Sequence, residues 1–205
     1  MPRDKSESHV KVKKAIKEEF LEKGFEGASI RSIGARAGMT SAGLYRHYPD
    51  KSAMFDAIVE PLVSAICEWT SRHIRQKYEM VARNKNHEGI FGETIMDMIK
   101  MVILPRKEEF RLLINGSRGT KYEHFIHDFV QENQAEFVRA LSFFREKGYP
   151  VRDISKEEIH MLLSAYLTAC FEPIIHGEDD EKILRYLNTM EEFFMPGWMK
   201  IMGMT

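Results

Sequence analysis

The chain has 205 residues, 43 % hydrophobic and 30 % charged, with a net charge of −1. That is a soluble composition, long enough to bury one large core or two small ones. No run approaches the roughly 18 apolar residues of a membrane span, and the N-terminal MPRDKSESH lacks an apolar signal segment. No membrane partner and a cytoplasmic location are therefore expected. Cys67 and Cys170 stand alone within apolar helical patterns and read as buried free thiols.

The charge is unevenly spread. Residues 1–52 carry 11 Lys or Arg against 7 Asp or Glu, a balance of +4, whereas the remainder carries 19 against 24, a balance of −5. A basic N-terminal region suits a few placed phosphate contacts better than a strong long-range field.

Taken in order, Val12, Ala15, Ile16 and Phe20 recur at helical spacing from Ser8 to Lys23, with Lys11, Lys13, Lys14 and Lys17 elsewhere. Gly24 ends this helix, and Phe25 covers the small core behind it. Ser29 then caps a short helix with Ile30, Ile33 and Ala37 on one edge. Gly38 supplies the positive φ of a tight turn, Met39 fills the angle, and Thr40 caps a second short helix.

The second helix has a bare first turn. Ser41, Ala42 and Gly43 carry almost no side chain, while Leu44 and Tyr48, at i and i+4, pack backwards. Gly43 costs about 1 kcal/mol against Ala inside a helix, so its presence suggests a second body close by. In a helix-turn-helix, the start of the second helix meets base edges in the major groove. Thr40, Tyr45, His47 and Lys51 surround the bare face with donors suited to phosphate oxygens. Asp50 caps the helix that follows.

Residues 10–56 resemble the DNA-binding domain of TetR-family transcriptional regulators. Ala15, Phe20, Gly24, Phe25, Ser29, Ile33, Ala37, Gly38, Leu44, Tyr45, His47, Tyr48 and Lys51 stand in the family's order and spacing, and the LYRHYPDK run is the most specific part. Gly34 departs from the family's usual Ala and is expected to loosen the first reader helix slightly. The resemblance implies a double-stranded DNA partner. The expected contact residues are Ser29, Arg31, Thr40, Ser41, Ala42 and Gly43, followed by Tyr45, Arg46, His47 and Lys51.

Beyond the reader, Met54, Phe55, Ile58, Leu62, Ile66 and Trp69 predict a long helix from Lys51 to about Tyr78, kinked at Pro61. Residues 79–89 are polar and without period, so a loop or frayed end is expected. A helix from Ile90 to Leu104 should end at Pro105, which starts another. Thr120 and Glu123 form a capping-box pattern ahead of a long helix with Phe129, Phe137, Leu141 and Phe144 that ends at Gly148. Ser155 and Glu158 repeat the box before Ile159, Leu163, Leu167 and Cys170. After Gly177 a last helix carries Ile183, Leu187, Met190 and Phe194.

No segment alternates with period two, so the fold class is all-α. An N-terminal three-helix domain with the helix-turn-helix, residues 1–52, is followed by a larger helical effector-binding and dimerisation domain, residues 53–205. Tyr166, Phe171, Tyr186 and Trp198 lie off the main stripes of the last two helices, which must therefore bury against two neighbours. By resemblance, those helices pair with their copies in a homodimer. The expected interface is Leu163, Tyr166, Leu167, Cys170, Leu187, Met190 and Phe194.

Trp69, Met96, Phe110, Phe125 and Phe129 are candidate lining for an apolar effector pocket, with Arg118, His124 and Tyr166 as orienting polar groups. His124 with His127, and Glu172 with His176, share helix faces, but neither pair belongs to a compact ligand set, so no metal and no cofactor are expected. There is no HExxH, GxSxG, phosphate loop or dinucleotide fingerprint, which points away from an enzyme. The expectation is a sequence-specific DNA-binding regulator, a repressor by the family's habit, released by an unknown small-molecule effector. The alternatives are a protein partner or a metal as the signal, or a helical-bundle enzyme.

Overall fold

The computed structural model describes residues 5–82 and 95–204, and all their regular structure is helical. The elements are α1 (Lys5–Gly27), α2 (Ile30–Ala37), α3 (Ser41–Leu44), α4 (Lys51–Ala82), α5 (Ile95–Met98), α6 (Lys107–Asn115), α7 (Phe125–Glu146), α8 (Lys156–Ile175) and α9 (Asp180–Met202). Between α5 and α6 the chain widens into a π turn at Ile99–Ile103 and tightens into a 3-10 turn at Leu104–Arg106.

The chain forms two compact units. The first comprises Met1–Glu68 with Arg106–Glu123, and the second Trp69–Pro105 with His124–Thr205. The division falls inside α4, and a later stretch containing α6 rejoins the first unit. In that unit Val12, Ile16 and Phe20 of α1 are buried, as are Ile33, Leu44, Phe55 and Phe110. Phe20 and Phe25 stack at 6.1 Å, and both meet the edge of Phe55. The second unit buries Phe129, Val130 and Phe144 of α7, Leu167 and Phe171 of α8, and Ile183 and Leu187 of α9.

Several boundaries differ from the sequence expectation. Helical assignment continues past Gly24 to Gly27, but Gly24 itself breaks the helix with φ 64° and ψ 178°. Its backbone lies against the chain after α6: Phe25 N–H donates to Gly116 O at 2.7 Å, and a Cβ on Gly24 would sit 3.5 Å from Gly116 Cα. α4 runs through Pro61 and extends to Ala82, so 79–82 is helix; 83–94, which include the rest of the expected loop and the start of the expected Ile90 helix, lie outside the described residues. Cys170 is buried, as expected, but Cys67 is exposed on α4.

α7 starts at Phe125, later than the Thr120 capping pattern predicts. Thr120 Oγ1 donates to Ser117 O at 2.6 Å and accepts from Tyr122 N at 3.1 Å, while Glu123 accepts from Gly119 N at 3.0 Å. The two side chains close a local turn instead of capping a helix, a competition open to any Ser or Thr beside a flexible backbone. The Ser155–Glu158 box is complete, with both reciprocal hydrogen bonds present.

Candidate nucleic-acid interface and effector cavity

The reader is built by capping. Ser29 Oγ accepts from Ser32 N at 3.1 Å, and Thr40 Oγ1 accepts from Gly43 N at 3.1 Å. Gly38, at φ 67°, closes α2: its N–H donates to Ala35 O, and Met39 N donates to Gly34 O at 2.8 Å. These two bonds satisfy carbonyls that the helix end leaves open. Gly34 has a reason to be glycine here, because a Cβ would lie 2.8 Å from Met39 O. The departure from Ala thus brings the turn closer to α2, where the sequence suggested only a looser helix.

Leu44 and Tyr48 are buried behind α3. Thr40, Ala42, Tyr45, Arg46 and His47 are exposed around it, Ser41 and Gly43 are half-buried, and Ser29 and Arg31 are exposed at the start of α2. A Cβ on Gly43 would meet Thr40 Oγ1 at 3.4 Å and Met39 Cβ at 3.7 Å. The chain's own packing therefore has room for a side chain at Gly43. His9 of α1 stacks over Tyr48 at 6.2 Å, with the His47 ring 6.3 Å away.

Lys51 is engaged inside the reader. Its Nζ donates to Ala28 O at 3.0 Å and Glu26 O at 3.4 Å and lies 4.5 Å from the Phe25 ring centroid. The ammonium thereby ties the α1–α2 connection to the start of α4, a use that nothing in the local sequence announces.

Sequence reasoning missed the polar centre of this unit. Glu19 is fully buried and its carboxylate accepts from Lys23 Nζ at 2.8 Å, Ser32 Oγ at 2.6 Å, Arg36 Nε at 3.0 Å and Ser29 N at 3.4 Å. Burial alone would raise its pKa, but the donors from Lys23, Ser32 and Ser29 outweigh it and bring the value down to about 2. Arg36 also grips Glu22 through both terminal nitrogens. The signal was present: Glu19 lies four residues after Ala15 and three after Ile16, on the inward face.

Residues 106–123 attach to the same unit. Lys17 Nζ meets Glu108 at 2.8 Å and Glu109 at 2.9 Å on α6, and Lys121 Nζ meets Asp56 at 3.1 Å and Glu60 at 3.2 Å on α4. The buried Tyr122 hydroxyl hydrogen-bonds Glu60, lowering that carboxyl's pKa.

The second unit contains a cavity of about 210 Å³ whose lining includes Trp69, His73, Phe137, Tyr166 and Trp198. Of the predicted ligand residues it brings together Trp69 and Tyr166. Met96 and Phe129 are buried elsewhere in that unit, where Phe125 stacks on Phe129 at 5.9 Å, and His124 precedes α7 without capping it. Phe110 and Arg118 belong to the first unit, Phe110 in its core and Arg118 exposed 3.5 Å from Glu26. His73, Tyr78, Glu136 and Trp198 were missed as lining. Trp69 and His73 at i, i+4 with rings stacked 4.6 Å apart offered a signal.

Of the expected dimer residues, Leu163, Tyr166, Leu167, Cys170 and Leu187 are buried within one chain, and Met190 and Phe194 are half-buried. The exposed apolar side chains of α8 and α9 are Met161, Leu162, Leu184, Tyr186 and Phe193, the last 75 % exposed. Among the described residues no three His, Cys, Asp or Glu side chains cluster to hold a metal ion, and no helix is long and apolar enough to cross a membrane.

Residues 14–58 match the family model of bacterial regulatory proteins of the tetR family. Over 175 residues the chain is 22 % identical to the HTH-type transcriptional repressor AcnR of Corynebacterium diphtheriae, covering 84 % of each. It is 30 % identical over 78 residues to the nucleoid occlusion factor SlmA of Pasteurella multocida, covering 38 % of this chain and 35 % of that one. NalD of Pseudomonas aeruginosa, the secondary repressor of the MexAB-OprM multidrug efflux pump, shares the fold at TM-score 0.53 and 16 % identity, over 95 % of this chain and 96 % of that one. With its capped helix-turn-helix, the segment 14–58 is that of the tetR family of bacterial regulatory proteins, and the all-helical fold of the whole chain is shared with NalD.

Proposed function

We propose that the protein is a homodimeric repressor that leaves its operator when a small molecule occupies the cavity of the second unit. Reading is assigned to residues 1–52, and effector binding and pairing to 53–205. The repressor sign is supported by AcnR, a transcriptional repressor similar over most of both chains.

The observation that carries the DNA assignment is the bare turn of α3. Ala42 is exposed and Gly43 lacks a side chain although φ is not left-handed and the neighbouring atoms leave ordinary van der Waals room. A glycine with no intramolecular reason, at a cost of about 1 kcal/mol in a helix, fits a surface shaped for another body. Thr40, Tyr45, Arg46 and His47 border it, and Ser29 and Arg31 at the start of α2 add donors toward the phosphates. Lys51, held by two carbonyls, positions this surface and adds positive charge beside it.

Two covalent routes run between cavity and reader. α4 starts at Lys51 and carries Trp69 and His73 into the cavity wall, and residues 106–123 leave the second unit, bind the first through Lys17, Asp56 and Glu60, and return. An effector that prefers one arrangement of these segments by about 1–3 kcal/mol suffices to shift operator occupancy.

Replacing Ala42 with Trp, or Gly43 with Leu, is expected to weaken operator binding at least about a hundredfold, the loss of roughly two good base contacts, with the thermal midpoint nearly unchanged. Gel-shift titration beside thermal unfolding measures both. Unaltered affinity would take α3 out of the groove.

A further inference from the structure

The cavity of the second unit has a defined chemistry. Among the described residues neither lysine nor arginine lines it, so an anionic ligand would find no counter-ion there. Among the described lining residues the one acidic side chain, Glu136, accepts from Arg139 Nε at 2.8 Å and from the Tyr78 hydroxyl, so its charge is already balanced within the chain. A cationic ligand would have to displace that pairing.

Trp69 is different. Its ring is 3 % exposed and stacked on His73, yet its Nε1–H has no acceptor among the described residues. A buried polar group without a partner is rare and costly, and an indole N–H only donates. Whatever satisfies it must bring an acceptor. The remaining walls include the faces and edges of Phe137, Phe144, Tyr166 and Trp198, which favour a flat ring in offset or edge contact. The volume of about 210 Å³ exceeds the roughly 150 Å³ that holds a benzene, and so admits one substituted ring or a fused pair.

Building on the assignment of this cavity as the effector site, we propose that it takes an uncharged, planar one- or two-ring compound whose carbonyl, ether or ring-nitrogen acceptor engages Trp69 Nε1–H. The chain contains two tryptophans, and both line the cavity. Their indole N–H signals therefore report directly on it.

The test uses three probes of matched size against the full-length protein labelled with [15N]tryptophan: quinoline, with a ring-nitrogen acceptor; naphthalene, with none; and 2-naphthoate, with a charge. Calorimetry is expected to show quinoline binding about fivefold to tenfold more tightly than naphthalene, the effect of one added hydrogen bond, and 2-naphthoate more weakly than either. Quinoline should move one indole signal downfield. In Trp69→Phe that signal should be missing and the preference for quinoline should shrink to less than about twofold. Naphthalene equalling quinoline in the wild type, or 2-naphthoate binding tightest, overturns the ligand class and leaves the cavity as an effector site. Binding by none of the three overturns both. Quinoline bound as expected without altering operator affinity upholds the ligand class and removes the effector role.

Discussion

Glu19 is a buried carboxylate held by Lys23, Ser32, Arg36 and the Ser29 backbone, and it joins α1 to both ends of α2. Folding lowers its pKa from 4.5 to about 2. Such a group stabilises the fold fully above pH 4.5, and the contribution is lost as pH falls from 4.5 toward 2. Glu19→Gln is expected to cost about 3 kcal/mol at neutral pH, because it leaves two cations facing a neutral amide. It should also flatten the acid limb of unfolding between pH 4.5 and 2. Acid titrations of wild type and variant followed by circular dichroism test this, and parallel curves would show that Glu19 does not govern the acid limb. The sequence carried half of this: helical spacing turns Glu19 inward, but Ser32 and Arg36 reach it only once α2 is folded back. Lys51 is the reverse case. Its place in the LYRHYPDK run suggests a phosphate contact, and its carbonyl partners Glu26 and Ala28, 25 and 23 residues earlier, are a further role that the run does not announce.

At the level of elements, caps were legible and competition between caps was not. Ser29, Thr40, Asp50 and Ser155 cap as their positions predict. Thr120 has the same local pattern, but the left-handed Gly119 and the Ser117 carbonyl capture it in a turn. The amphipathic stripes of α8 and α9 were legible as stripes, but which stripe faces the chain's own core depends on α7 and the neighbouring helices, information that periodicity lacks. Leu187 is buried and Phe193 exposed, from which we infer that pairing through these helices uses the outer face. Phe193→Glu is expected to weaken the dimer about a thousandfold, since two copies each withdraw roughly 2 kcal/mol of buried ring, while helicity is retained. Light scattering coupled to size exclusion reads the result. A Phe193→Glu protein that stays dimeric at low micromolar concentration would place the interface elsewhere.

For the whole molecule, the basic N-terminal balance and the helical periodicities made the fold class and the reader legible. The return of residues 106–123 to the first unit was not, because its attachments, Lys17 to Glu109 and Tyr122 to Glu60, span 92 and 62 residues. The cavity was legible only as a surplus of aromatic side chains, since Trp69, Phe137 and Trp198 meet through the packing of separate helices. One α3 surface gives modest affinity, but two on a rigid dimer read two half-sites together. The most direct measurement is selection of the purified protein against a pool of random duplexes at fixed salt, followed by sequencing of the retained DNA. An enriched palindrome with half-site centres about 10 base pairs apart, or a multiple of that spacing, is the predicted result. Salt-sensitive retention with no enriched sequence would contradict a dimeric reader that enters the major groove.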